Sequence, residues 1–140
     1  MRVMAIDFGD ARTGVAISDP AGTLAGFTTV LPSWNRAALL DRLAALVREH
    51  GVEELVLGLP RNMDGSEGPR AALCRAFAGE LERAAGLAPV LWDERRSTVE
   101  AHQILHAGGK REKQHRQTVD AVAAALLLEG YLERRRRGNL

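Results

Sequence analysis

The order of the apolar segments constrains the fold of this chain more than any other feature of its sequence. Three β-type segments come first, RVMAIDFG, TGVAISD and GTLAGFTTVL, and the glycine-bearing turns between them are short enough for hairpins. Helix and strand patterns then alternate along the chain. Because a strand–helix–strand crossover makes its two strands parallel neighbours, we predict an α/β fold. Its mixed sheet joins an antiparallel three-stranded meander to parallel strands, with helices on both faces.

Capping residues mark the predicted helices. Leucine spacing is helical from Asn35 to His50, and Gly51 stands where a C-cap belongs. Pro69 opens a second helix, which runs to about Ala85. The segment STVEAHQILHAGG has capping-box spacing and predicts a third helix. We predict the last helix from about Thr118 to Arg136, after a charged and mobile segment, KREKQHRQ.

Composition bounds the class of protein. A chain of 140 residues with 46% hydrophobic composition predicts one domain, residues 1–140. The net charge of +1 gives no global argument for an acidic partner. The single Cys74 is predicted to be a buried structural thiol. No apolar run reaches the roughly 18 residues that cross a bilayer, so we expect a cytoplasmic protein with no membrane partner.

Three carboxylates stand at positions where they could meet. Asp7 ends the first strand, Glu94 or its neighbour Asp93 ends the last strand, and Asp120 falls in the first turn of the predicted final helix. A carboxylate flanked by apolar residues is costly to ionise unless it gains a partner. If the three converge, a divalent cation would compensate their repulsion, and hard oxygen ligands select Mg²⁺ or Mn²⁺. Such a site is suited to phosphodiester hydrolysis.

Each acid also has a plainer interpretation. Asp120 could cap a helix or compensate its dipole, and Glu94 could belong to a charged strand exit. The pair His102 and His106 has helical spacing but lacks a third ligand, so we interpret both histidines as structural.

Basic and polar residues near these acids are candidates for substrate binding. Arg12 could hold a phosphate, or could form an ion pair with Asp10. The loop GLPRNMDGSEG could contact a sugar-phosphate chain, or could be only a tight turn. Trp34 and Trp92 are expected to be packing residues rather than base-stacking platforms. The basic stretch before the last helix and the arginines at 134–137 could attract a polyanion or could simply be solvated. The further substrate-binding candidates are Arg61, Asn62, Ser66, Arg95, Lys110, Arg111, Lys113 and Arg116.

Four segments together resemble one protein family. DFGDARTGVAISD, GLPRNMDGSEGPRA, DERRSTVEA and VDAVAAALLLEGYL are similar, in order and spacing, to the YqgF family, also called RuvX, of bacterial pre-16S rRNA nucleases or Holliday junction resolvases. The resemblance implies a ribonuclease H-like fold and a metal site of Asp7, Glu94 and Asp120, and so chooses Glu94 over Asp93. Related RuvC resolvases carry a further acid three residues later on their final helix, where this chain has Ala123. Many relatives also keep lysines just before the final aspartate, where this chain reads KQHRQTVD.

The leading hypothesis is a metal-dependent nuclease acting on precursor RNA, which the resemblance specifies as the 5′ end of pre-16S rRNA. The alternative within the same chemistry is cleavage of branched DNA, which a homodimer with two active sites would favour. A phosphotransferase of the actin and hexokinase kind would need a second glycine turn and about twice the length. An RNA-binding ribosome-assembly factor without catalysis is the remaining alternative.

Overall fold

The computed structural model describes residues 1–93 and 112–138, and of residues 112–118 it describes the backbone. The strands are β1 (Arg2–Asp7), β2 (Arg12–Ser18), β3 (Ala25–Pro32), β4 (Val52–Leu59) and β5 (Val90–Asp93). The helices are α1 (Arg36–His50), α2 (Pro69–Ala85) and α3 (Glu112–Arg136). The predicted helix STVEAHQILHAGG lies outside the described residues.

The five strands form one mixed sheet in the order β3-β2-β1-β4-β5. β1, β2 and β3 pair antiparallel, whereas β4 pairs parallel with both β1 and β5. The predicted meander and its parallel extension are therefore confirmed.

Two apolar cores lie on opposite faces of the sheet. Met4 and Ile6 of β1 belong to the core that contains the buried side chains of α1 and α2. Val3 and Ala5 belong to the other core, with the buried side chains of α3. Successive side chains of a strand alternate between faces, so Asp7 follows Val3 and Ala5 onto the α3 face.

The first two helices have the predicted boundaries. The Asn35 side chain accepts a hydrogen bond from the amide of Ala38 at 3.0 Å, and Gly51 ends α1 with a φ of 63°. Pro69 opens α2, and Gly86 caps its end. Both helices thus begin and end at residues whose capping role can be recognised in the sequence.

The start of the last helix is different from the prediction. α3 begins at Glu112 rather than Thr118, so most of the segment KREKQHRQ is helical instead of mobile. Glu, Lys, Gln and Arg are good helix formers, and neither Gly nor Pro interrupts residues 110–129. Asp120 consequently lies more than two turns into the helix.

The single cysteine and one tryptophan pack as predicted. Cys74 lies on the buried face of α2, in the core that α1 and α2 share with the sheet. Trp92 packs edge-to-face on Tyr131, with ring centroids 5.5 Å apart. Burial raises the pKa of the Tyr131 phenol, which donates a hydrogen bond to Glu54. Among the helices described, none is both long and apolar enough to span a bilayer.

Candidate active site

The candidate site lies at the edge of the sheet where the parallel strands end. β1, β4 and β5 run parallel, so their last residues, Asp7, Leu59 and Asp93, share this edge. β2 is antiparallel to β1, and its first residue, Arg12, therefore lies at the same edge. Ligand sites of open α/β sheets form beside such strand ends.

Gly14 brings the final helix close to the end of β1. Gly14 is the cross-strand partner of Asp7. A Cβ atom on Gly14 would lie 2.1 Å from the carbonyl oxygen of Asp120 and 3.3 Å from the Cβ of Ala124. Only glycine permits this approach of helix to strand. Asp7 and Asp120 are consequently brought to neighbouring positions, although more than a hundred residues separate them in sequence.

Arg12 and Asp120 form an ion pair across this contact. The Arg12 Nε donates to Asp120 Oδ2 at 2.8 Å, and the two side chains are 32% and 25% exposed. Because successive side chains of a strand point to opposite faces, the face of β2 that packs on α3 carries Arg12, Gly14 and Ala16. The pair therefore lies beside Asp7. It also links α3 to β2.

Two of the plainer interpretations are wrong. Asp10 is paired with Arg70, whose Nη1 lies 2.5 Å from Asp10 Oδ1, so Arg12 does not form the alternative ion pair with Asp10. Asp120 is not a helix cap, because the helix starts at Glu112. A phosphate-binding role for Arg12 stays a prediction.

The donors in place are chemically suited to a hard divalent cation. Asp7 and Asp120 supply carboxylate oxygens, the ligand type that Mg²⁺ and Mn²⁺ take in proteins. Within residues 1–93 and 112–138, no three acids, histidines or cysteines are grouped as a metal site. Glu94, the predicted third ligand, lies outside the described residues and follows β5 directly in sequence. The three-acid site stays a prediction.

The loop after β4 is held by its own hydrogen bonds. The Asn62 amide side chain donates to Ser66 Oγ at 2.9 Å, and Ser66 Oγ donates to Asp64 Oδ1 at 2.6 Å. Asn62 and Ser66 are both exposed. The loop is therefore a tight turn, as one interpretation held. It presents its polar groups beside the strand ends, and its contact with substrate stays a prediction.

Glu67 ties this loop to α2. Arg75 makes two hydrogen bonds of 2.8 Å to the Glu67 carboxylate, and the Arg61 guanidinium lies 3.6 Å from it. The Arg75 hydrogen bond lowers the pKa of Glu67, and the pKa of Arg75 is raised in turn. Arg61, a predicted substrate contact, is thus part of a small charge network at the base of the loop.

Arg70 is a residue of this region that the sequence did not reveal. It donates to the backbone oxygen of Phe8, and its guanidinium lies 5.2 Å from the centroid of the Phe8 ring. Together with the Asp10 contact, this fixes the turn that follows Asp7. No local pattern marks Arg70, because its partners lie about sixty residues away along the chain.

The remaining basic candidates are placed less directly. Lys113 and Arg116 lie in the first turns of α3. The C-terminal arginines have contacts within the chain: Arg134 lies over the Trp92 ring at 5.8 Å, and Arg136 donates to the Thr23 carbonyl at 2.8 Å. These contacts account for the C-terminal arginines without a bound polyanion. The candidates outside the described residues are Arg95, Lys110 and Arg111.

Comparison with known proteins identifies the family. Residues 1–134 match the family model described as "RuvX: Holliday junction resolvase". The chain belongs to the RuvX family. Two curated relatives carry the name "Putative pre-16S rRNA nuclease". One, from Moorella thermoacetica, is 48% identical over 96% of this chain and 96% of its own length. The other, from Pelotomaculum thermopropionicum, is 45% identical over 95% of this chain and 87% of its own.

A solved structure supports the fold. Thermus thermophilus RuvC in complex with a Holliday junction substrate superposes with a TM-score of 0.61 at 14% identity, covering 98% of this chain and 96% of that one. The predicted ribonuclease H-like sheet is confirmed, as is the resemblance to RuvX. This RuvX member is a nuclease, a hydrolase of phosphodiester bonds. Its family and fold imply a general dependence on a divalent metal.

Proposed function

We propose that this RuvX protein cleaves a precursor of 16S rRNA near its 5′ end, in the cytoplasm, with Asp7, Glu94 and Asp120 as its catalytic carboxylates. The observation that carries the proposal is the Arg12–Asp120 ion pair beside the end of β1. With Asp7 at the end of β1, this pair puts two acids and a guanidinium at one strand edge, a combination that supports phosphodiester cleavage.

Asp7, Asp120 and Glu94 would hold Mg²⁺ or Mn²⁺. Such a cation supplies an activated water and neutralises the charge that develops on the leaving oxygen. The carboxylates themselves provide the negative charge that fixes the cation at the sheet edge. The placement of Asp7 at a strand end and of Asp120 on a packed helix fixes these two carboxylates before substrate arrives.

Arg12 would bind the phosphate next to the cleaved bond. Its Nε is engaged by Asp120, and no hydrogen bond to another described residue involves its two Nη groups. A guanidinium whose Nε is held by a carboxylate is well oriented to offer its Nη groups to a phosphate. The substrate chain would then pass over the loop that carries Arg61, Asn62 and Ser66. Lys113 and Arg116, with Arg95, Lys110 and Arg111, would add a salt-dependent attraction.

RNA is favoured as the substrate by the relatives that align over most of the chain. Relatives named for pre-16S rRNA are 39% to 48% identical to this chain. The family description favours a second candidate, a four-way DNA junction. Symmetrical cleavage of a junction would need two copies of the chain, because each copy carries one site.

A substrate competition tests the proposal. Wild-type protein with Mn²⁺ is given a 5′-extended 16S precursor and a four-way junction at matched salt. We expect cleavage of the RNA at lower protein concentration, and its loss in Asp7→Asn, Glu94→Gln and Asp120→Asn. The matched control is Asp41→Asn, an exposed acid on α1, which should cleave normally.

Several results would contradict the proposal. Preferred cleavage of the junction would assign the alternative substrate. Absence of Mn²⁺ binding, together with normal ribosome maturation in cells that carry Asp7→Asn, would assign a non-catalytic assembly role. Ala123 bears on this choice, because it is buried next to Val119 and contributes no fourth carboxylate.

A further inference from the structure

Trp34 is far more exposed to solvent than is usual for a large apolar side chain. Its residue is 81% exposed, the largest value among the large apolar residues described, whereas Trp92 is packed against Tyr131. The prediction that Trp34 is a packing residue is therefore wrong. The exposed indole ring leaves a large apolar surface in contact with water, and covering that surface with a ligand would be favourable. A flat, exposed aromatic side chain is a common feature of surfaces that bind unpaired bases.

Trp34 lies at the same sheet edge as the candidate active site. Pro32, two residues before it, is the cross-strand partner of Arg12. Paired Cα atoms lie about 5 Å apart and each further residue adds at most 3.8 Å, so the Cα atoms of Arg12 and Trp34 are at most about 13 Å apart. That separation corresponds to a few nucleotides of a single strand.

The segment that carries Trp34 is fixed to the site. The hydroxyls of Thr13 and Ser33 share a hydrogen bond of 2.7 Å, and the Ser33 amide donates to the carbonyl of Ala11 at 3.0 Å. Asn35 then caps α1. Trp34 is thus held between two anchored residues, which lowers the entropy cost of binding a ligand.

A shallow groove runs beside the indole. It has a volume of about 220 Å³ and is lined by Trp34, Pro32, Ala38 and Arg42, among others. Arg42 is about half exposed, and its ion pair with Glu49 is long, at 3.4 Å, so its guanidinium can turn towards a phosphate. The first turn of α1 carries no acid, so no carboxylate there opposes a polyanion.

We propose that Trp34 is a stacking platform for an unpaired base of the nucleic-acid substrate, next to the cleavage site, and that Arg42 contacts the adjoining phosphate. The inference rests on the proposed function, because the occupant is the strand that the nuclease cuts. Stacking on an indole tolerates every base, so the platform orients a single-stranded segment without choosing its sequence. A perfectly paired duplex would not offer such a base.

Binding of a short oligouridine to the metal-free protein tests the platform without cleavage. Affinity is measured by anisotropy of a labelled strand for wild type, Trp34→Ala and Trp34→Phe. We expect Trp34→Ala to weaken binding about fivefold or more, and Trp34→Phe to keep most of the affinity, since phenylalanine also stacks. Leu24→Ala removes another exposed apolar side chain, 53% exposed, and should bind normally.

Two further measurements separate stacking from other roles of the same surface. The strand should quench the fluorescence of wild-type protein and leave that of Trp34→Phe nearly unchanged. An abasic strand should bind wild type and Trp34→Ala equally well. Equal affinity of Trp34→Ala and wild type for oligouridine, or binding without quenching, would overturn the inference.

The outcome is distinguishable from a failure of the proposed function. Loss of cleavage by every carboxylate substitution, with normal affinity in Trp34→Ala, would support the proposed function and reject the platform. Stacking on Trp34 in a protein that cleaves no RNA would support the platform and reject the proposed function. A change in self-association of Trp34→Ala, with unchanged RNA affinity, would assign the groove to a second copy and also overturn the inference.

Discussion

Replacing Gly14 by alanine should destabilise the protein and remove its nuclease activity together. The added Cβ would lie 2.1 Å from the Asp120 carbonyl oxygen, whereas ordinary contacts begin at 3.4 Å. The obstacle is backbone, so α3 must move from β2 by more than about 1 Å. Overpacking of this kind costs about 1–3 kcal/mol, which lowers the Tm of a domain of this size by roughly 3–9 °C.

The same displacement should reduce catalysis. A shift of about 1 Å in a catalytic group can cost on the order of a hundredfold in rate. Urea denaturation and cleavage of the RNA precursor are measured side by side on Gly14→Ala and on Gly26→Ala. Gly26 is the matched control, since its added Cβ would meet nothing nearer than the Asp19 amide at 3.5 Å. It should stay within about 0.5 kcal/mol of wild type.

Two results would refute this reasoning. Equal stability of the two alanine variants would mean that α3 does not approach β2 as closely as Gly14 implies. A destabilised Gly14→Ala protein that cleaves at the normal rate would mean that the position of Asp120 does not matter to the reaction.

Three further predictions concern charged groups. Asp120→Asn should lower the free energy of unfolding of metal-free protein by up to about 1 kcal/mol in urea, because Arg12 loses its partner; a more stable variant would contradict this. Arg12→Ala should weaken binding of the RNA strand more than binding of Mn²⁺ in calorimetry, and equal losses would make Arg12 only a positioning residue for Asp120. The pKa of Glu67 is lowered from 4.5 by Arg75, so its stabilising contribution is present above that pH and is lost as pH falls through the lowered pKa. The difference in Tm between wild type and Glu67→Gln should therefore shrink on acidification, and a difference independent of pH would contradict the assignment.

Local signals made much of the fold predictable. Short apolar segments between glycine-bearing turns defined the first three strands. Asn35, Gly51 and Pro69 marked helix ends because each meets a local backbone requirement there. The start of α3 was missed because strong helix formers run through it without a cap.

Two of the candidate acids could be selected from the sequence, but their contacts could not. Asp7 ends an apolar strand and Asp120 precedes the apolar run of the last helix, and both features are visible before any coordinates. The partner of Asp120 could not, since Arg12 reaches it only after a helix packs on a strand 108 residues away. Arg70 was missed for the same reason. The exposure of Trp34 depends on which residues the folded turn places next to it. Because Trp34 lies outside the periodic pattern of a helix or strand, the sequence does not show whether it is buried.

The contact between Gly14 and α3 also determines when, during synthesis, Asp7 and Asp120 come together. A ribosome adds about 5–20 residues each second, so the hairpin that carries Asp7 emerges several seconds before α3. During that interval the nascent chain contains Asp7 but not Asp120, so the set of carboxylates proposed for catalysis is incomplete. Under the proposed function, cleavage can begin only after the last helix has been synthesised and has packed against Gly14 of β2.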